Sequence, residues 1–260
     1  MNKNIFFFRV ITSLILAFFT LFSVIFGGAL LLFFISLFVA LLTFEWVIIT
    51  EKKLTNTVLL IKIFSNVACV LIVYFKVYYP IIILFLLVPI LISLFKKTPK
   101  NNFFFVIIGP LYICLPILLL YQIRIDHIYG LEIVLWCLCI TWSTDIFSYL
   151  GGKLFKGPKL SKFVSPNKTW SGFISGIVSA MIFSILAFKL TGYELQSLLI
   201  WSFLLALSVQ LGDLFESLIK RYHEVKDSGK LLPGHGGVLD RMDGFIFCAF
   251  SLSMGVYFYE

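Results

Sequence analysis

A succession of long apolar stretches, almost free of charge, runs from residue 5 to the C-terminus and restricts the fold more than any single residue does. About 20 helical residues cross a hydrocarbon core of ~30 Å. Nine stretches fit that length: 5–25, 28–50, 56–75, 77–95, 103–121, 130–150, 170–190, 196–218 and 245–259. Inside lipid each span must satisfy its own backbone hydrogen bonds, so these are helices; barrel strands would alternate apolar and polar residues. With 60% hydrophobic and 13% charged residues, the chain cannot cover itself with polar surface as a soluble globule does. The expected fold class is all-α, a polytopic integral membrane protein of about nine transmembrane helices. The last span, about 15 residues long, is expected to tilt little or to thin the bilayer locally.

The net charge of +8 could point to nucleic acid, but its distribution points to a lipid bilayer and to no nucleic acid. With the N-terminus inside, 17 of the 21 Lys and Arg residues fall in cytoplasmic segments, and only Lys76, Arg124 and Lys189 fall at outer ends. This is the positive-inside asymmetry. It predicts a multi-pass protein of the cell (inner) membrane with a cytoplasmic N-terminus. The first apolar run is too long for a signal-peptide core and reads as a retained span. The five cysteines all lie in apolar runs without C-x-x-C spacing, which supports neither a disulfide framework nor a zinc site.

Polar chemistry is unevenly spread. Residues 1–125 are N-terminal transmembrane helices with short loops, where Glu45, beside Trp46, is the only acidic residue inside a span. Residues 126–260 hold nearly all the remaining polar groups of interest and are expected to be the transmembrane region that carries the chemistry, with cytoplasmic loops 151–169 and 220–243. Asp145 sits about 9 Å inside a span that ends at Gly151-Gly152, with Tyr149 on its face. An ionisable residue at that depth is costly and by default signals function; the alternative is a carboxylate that reaches water or pairs with Lys153. Gln210, Asp213, Glu216, Ser217 and Lys220 form one polar stripe on an apolar helix, and Asp213 lies about 10 Å from the Lys220 end. Two nearby carboxylates raise each other's pKa unless a cation intervenes, which favours a metal over a structural hydrogen bond.

Loop 151–169 holds five lysines, and its SPNKTW end lets Ser165 cap a turn opened by Pro166 while Lys168 and Thr169 present donors at the next helix start. Residues 217–243, SLIKRYHEVKDSGKLLPGHGGVLDRMD, are denser still. Asp227, Asp240 and Asp243 can hold a divalent cation. Lys220, Arg221, Lys226 and Arg241 can neutralise phosphate. Gly234, Gly236 and Gly237 bracket His235 and let backbone N–H groups approach an anion.

Together these residues resemble the phosphatidate cytidylyltransferases (CDP-diacylglycerol synthases). The resemblance rests on Ser217, Lys220-Arg221, Lys226-Asp227, His235-Gly236-Gly237, Asp240-Arg241 and Asp243 in that order. Asp145 with Tyr149 and Gly152, Ser165-Pro-x-Lys-Thr-Trp, and Gly212-Asp213 with Glu216-Ser217 add to it. The match is strong over 142–243 and thin over the first 125 residues, and it departs at Ser171, where the family usually has Glu.

The resemblance implies cytidylyl transfer from CTP to phosphatidate in a homodimer. It implies Mg²⁺, with a second cation as an option, on Asp213 and Asp240, with Asp243 and Asp145 as further candidates. Lys220, Arg221, Lys226 and Arg241 are expected on the phosphates. Ser165, Asn167, Lys168, Thr169, Ser217, Asp227, Gly236 and Gly237 are expected around the substrates. His235 is expected either to help hold the triphosphate or to shape its loop. Rival readings are a polyprenol kinase using CTP and a transporter with an intramembrane acidic pathway; the latter leaves the 217–243 loop unexplained.

Overall fold

A computed structural model describes residues 3–51, 55–76, 83, 87–92, 100–161, 163–191, 194–232 and 236–259. The elements in chain order are α1 (Lys3–Phe26), α2 (Gly28–Thr50), α3 (Asn56–Tyr74), α4 (Lys100–Asp126), α5 (Gly130–Phe155), β1 (Lys159–Ser161), β2 (Ser165–Thr169), α6 (Trp170–Thr191), α7 (Leu195–Tyr222) and α8 (Leu239–Tyr259). Five helical segments among the described residues are long and apolar enough to cross a membrane: Gly28–Thr50, Asn56–Tyr74, Phe103–Asp126, Gly130–Phe155 and Leu195–Tyr222. Ile11–Phe26 and Trp170–Ile185 are shorter apolar helices. Most of the expected span at 77–95 lies outside the described residues. Between α1 and α2 the chain turns at Gly27 and Gly28, whose φ values of 65° and 55° suit residues without a Cβ.

The chain divides into two compact units, Met1–Leu118 with His223–Arg241, and Leu119–Tyr222 with Met242–Glu260. In the first unit α2 packs against α1 and α3. The Trp46 indole N–H donates to Phe105 O at 3.1 Å, and the ring lies 5.1 Å from that of Tyr112. Gly109 makes room for that indole, since a Cβ there would come within 2.8 Å of the ring. Further along, Lys62 pairs with Glu51 at 2.7 Å and Asn66 donates to Thr43 Oγ1 at 2.9 Å, all four residues buried. Burying the Lys62 and Glu51 charges is tolerable because they are paired with each other.

The second unit is built on a seam of small residues. Thr144, Ser148 and Gly152 of α5 recur every four residues and face Gly172 and Gly176 of α6. Ser179 Oγ crosses to donate to Ser143 O at 3.1 Å, and Trp136 Nε1 donates to Ser184 Oγ at 2.8 Å. Such a seam brings two helix backbones together where the hydrophobic effect offers no drive. Helix α8 runs antiparallel to α7 along a comparable close approach: Gly255 lies against Trp201, Ser251 against Ser208, and Gly244 against Val209.

One local expectation changes. Ser165 does not cap a turn; Ser165–Thr169 is strand β2, paired antiparallel with β1 through Lys159↔Thr169 and Ser161↔Ser165. Pro166 has no N–H to give, and it falls between the paired positions, where the ladder does not need one. The hairpin is a small addition to an otherwise all-α protein.

Candidate active site

Helix α7 carries the first cluster, in the second unit. Its polar stripe is real: Gln210 is buried and donates Nε2–H to Phe173 O at 3.0 Å, and Glu216 is 1% exposed and pairs with Lys220 one turn on, at 2.8 Å. Asp213 lies between them, half-exposed, and forms an ion pair with Lys168 of β2. Asp243, in the first turns of α8, is beside Glu216 and within electrostatic reach of Asp213 and Lys220. What puts it there is Gly212. A Cβ on that residue would stand 2.5 Å from Asp243 O and 3.0 Å from Phe247 Cβ, so only glycine lets the two backbones come this close. Asp213, Asp243, Glu216, Lys168 and Lys220 thus meet at one end of α7.

Thr169 and Ser171 shape the start of α6. Thr169 is buried, and its Oγ1 accepts from Gly172 N at 3.2 Å, an ordinary N-cap bond. Ser171 shares a hydrogen bond with Thr169 Oγ1 at 3.0 Å and donates to Lys156 O at 2.5 Å. Thr169 therefore serves the helix terminus, while Ser165 is half-buried and Asn167 exposed on β2. Asp145 is exposed on α5, as is Tyr149.

The second cluster, in the first unit, is the loop that leads into α8. Asp240 Oδ2 accepts from Ser228 N at 3.0 Å and from Gly237 N at 2.9 Å, closing the loop on itself. Gly236 sits at φ 88°, and a Cβ there would lie 2.7 Å from that same Oδ2. The Gly237 amide, expected to hold a triphosphate, is thus committed to Asp240. Lys226 and Asp227 are exposed on this loop, Arg241 is exposed in the first turn of α8, and Arg221 is exposed at the end of α7. His235 lies outside the described residues.

Glu45 is the residue whose role sequence reasoning missed. It is 1% exposed on α2, yet it accepts from Val238 N at 2.9 Å, from Leu239 N at 2.8 Å and from Ser228 Oγ at 3.0 Å. A helix leaves its first N–H groups without internal partners, and Val238 has no side-chain acceptor to offer them. Glu45 supplies that cap from another helix. Asp240 N donates to Ser228 Oγ at 3.3 Å and Arg241 N to Val238 O at 3.0 Å, so the opening donors of α8 are all accounted for. Hydrogen bonds to a charged group contribute about 1.5–3 kcal/mol each, enough to offset burial of the carboxylate where three converge. An acidic residue inside an apolar span was the available signal.

The donor set suits a hard divalent cation. Magnesium takes one or two carboxylates and completes its shell with water and substrate phosphate. Among the described residues no three of His, Cys, Asp and Glu gather to hold a metal ion.

Comparison with known proteins places these residues in context. A phosphatidate cytidylyltransferase of Rickettsia prowazekii is 43% identical over 159 residues, covering 58% of this chain and 68% of that protein. One from Rickettsia bellii is 42% identical over 176 residues, covering 64% and 76%. One from Brucella abortus is 44% identical over 131 residues, covering 49% and 47%. The profile of the cytidylyltransferase family matches residues 7–259, so the match takes in the α2 helix of Glu45 as well as both clusters, and the chain belongs to that family.

Proposed function

We propose that this membrane protein is a phosphatidate cytidylyltransferase, converting CTP and phosphatidate into CDP-diacylglycerol and pyrophosphate. The observation that carries this reading is the gathering of carboxylates and lysines at the end of α7, in a chain that matches the cytidylyltransferase family almost throughout. Neither a polyprenol kinase nor a transporter accounts for that match.

In the reaction a phosphatidate phosphate oxygen forms a bond to the α-phosphorus of CTP. The bond from that phosphorus to the β-bridging oxygen breaks, and pyrophosphate leaves with the electron pair. The attacking oxygen is already ionised near neutral pH, since a phosphate monoester has its second pKa near 6. The protein need not supply a strong base. It must bring two anions together and stabilise the departing charge.

Lys220, Arg221, Lys226 and Arg241 are assigned to phosphate oxygens, and Lys168, Asn167 and Ser165 to substrate at the hairpin. Asp213 and Asp240, followed by Asp243 and Asp145, would hold Mg²⁺, alone or with a second cation, which would supply positive charge against the phosphates. The enzyme is assigned to the inner membrane as a homodimer with its N-terminus in the cytoplasm, where CTP is available. Purified protein in detergent, given labelled CTP, phosphatidate and Mg²⁺, should form labelled CDP-diacylglycerol and pyrophosphate in equal amounts. Product from CTP with a polyprenol, and none with phosphatidate, would reverse the assignment.

A further inference from the structure

We propose that Glu45 is a positioning residue for cytidylyl transfer: from inside α2 it fixes residues 226–232 and 236–238 and the first turn of α8, and so sets where Lys226, Asp240 and Arg241 stand. The inference rests on the function proposed above, but its structural half can be tested without activity.

Three observations carry it. The carboxylate of Glu45 is buried, and both its oxygens are used, Oε1 by Val238 N and Oε2 by Leu239 N and Ser228 Oγ. Those partners lie 183 to 194 residues away in sequence, so the contact is a tertiary clamp and not a local turn. The loop is also shaped around it: a Cβ at Gly229 would come within 2.6 Å of Glu45 Oε1, and one at Gly237 within 2.5 Å of Oε2.

Ser228 makes the clamp reach further. Its hydroxyl donates to Glu45 and accepts from Asp240 N, while its own N–H donates to Asp240 Oδ2. Because Glu45 accepts the only hydroxyl proton, the Ser228 lone pairs face Asp240 N. A Gln at position 45 keeps the size of the side chain but loses the charge. It also replaces one acceptor oxygen by an NH₂ group, which would face either Val238 N–H or both Leu239 N–H and the Ser228 hydroxyl. An Asp keeps the charge and falls one methylene short.

The experiment compares wild type, Glu45→Gln, Glu45→Asp and Ser228→Ala in detergent, by amide hydrogen exchange and by turnover of CTP and phosphatidate per folded molecule. Exchange at Val238, Leu239 and Asp240 should quicken at least about tenfold in Glu45→Gln while α3 and α5 keep wild-type protection. Turnover should fall at least about tenfold in kcat, with Glu45→Asp intermediate. Glu45→Gln and Ser228→Ala combined should cost less than the product of their separate effects, since both open one clamp. Wild-type exchange at these amides in Glu45→Gln overturns the clamp. Faster exchange with wild-type kcat overturns the positioning role and leaves a cap alone. If Glu45→Gln does not fold, Ser228→Ala decides: unchanged exchange at Asp240 and unchanged kcat there overturn the proposal. A wild-type enzyme inactive on CTP and phosphatidate, with the exchange pattern as expected, would remove the function and not the clamp.

Discussion

Lys168, on the hairpin strand β2, is ion-paired with Asp213 in the middle of the polar stripe of α7. The pairing ties the hairpin to a carboxylate of α7, and magnitudes separate its two conceivable purposes. Both side chains are a quarter or more exposed, at 25% and 36%, so the pair contributes no more than about 1 kcal/mol to stability. A cation held beside a carboxylate that is itself assigned to the reaction has more to do during turnover than in holding the fold. Lys168→Ala should therefore leave the melting temperature in detergent nearly unchanged, yet lower cytidylyl transfer at least about tenfold, roughly 1.4 kcal/mol of transition-state stabilisation. A large drop in melting temperature with undiminished kcat would assign Lys168 to structure.

The close approach of α7 and α8 makes a second prediction, one of packing. At Gly212 an added Cβ meets a backbone carbonyl, Asp243 O, at 2.5 Å, and backbone cannot rotate aside as a side chain does. Gly212→Ala must push the helices apart, at a cost of about 1–3 kcal/mol, despite the better helix propensity of Ala. The displacement moves Asp243 relative to Asp213, so activity should fall together with thermal stability. A Gly212→Ala enzyme that melts at the wild-type temperature would mean that the helices are further apart than described.

These two predictions also mark what the sequence could and could not disclose. Apolar length was enough to place α2, α3, α4, α5 and α7, because lipid leaves a backbone few alternatives to a helix. The stripe from Gln210 to Lys220 was legible as a helical period, and the structure fills it with partners. The hairpin was not legible: Pro166 and Asn167 speak for a turn, and strand pairing with Lys159–Ser161 outweighs that local preference. Glu45 was legible as an anomaly but not as a cap, since nothing in its neighbourhood announces a partner at residue 238. The four-residue spacing of Thr144, Ser148 and Gly152 was present too, and only its match to Gly172 and Gly176 turns it into an interface.

Charge asymmetry yields a third prediction, about orientation. With the N-terminus and the loops 151–169 and 220–243 in the cytoplasm, Glu260 is outside. A membrane-impermeant thiol reagent applied to intact cells should modify Glu260→Cys but neither Lys159→Cys nor Lys230→Cys. Equal modification at positions 230 and 260 would break the nine-span arrangement, because both would then lie on one side.

The last prediction separates chemistry from topology at the end of α7. Lys220 and Arg221 stand in the last turn of that helix, where any two cations would satisfy both the helix dipole and the positive-inside rule. Their surroundings differ, however. Lys220 is 13% exposed and pairs with the buried Glu216, whereas Arg221 is exposed. A compact ammonium suits the first setting, and a planar guanidinium with its paired donors suits an incoming phosphate at the second. Exchanging the two, Lys220→Arg with Arg221→Lys, keeps net charge and insertion but puts the bulkier fork against Glu216 and the point charge where the fork was. Cytidylyl transfer should fall at least about tenfold, roughly 1.4 kcal/mol. The double variant Lys52→Arg, Lys53→Arg is the control, silent because no substrate contact is assigned to that loop. Wild-type kinetics for CTP and phosphatidate in the exchanged enzyme would return Lys220 and Arg221 to marking the membrane boundary, and phosphate binding would then fall to Lys226 and Arg241.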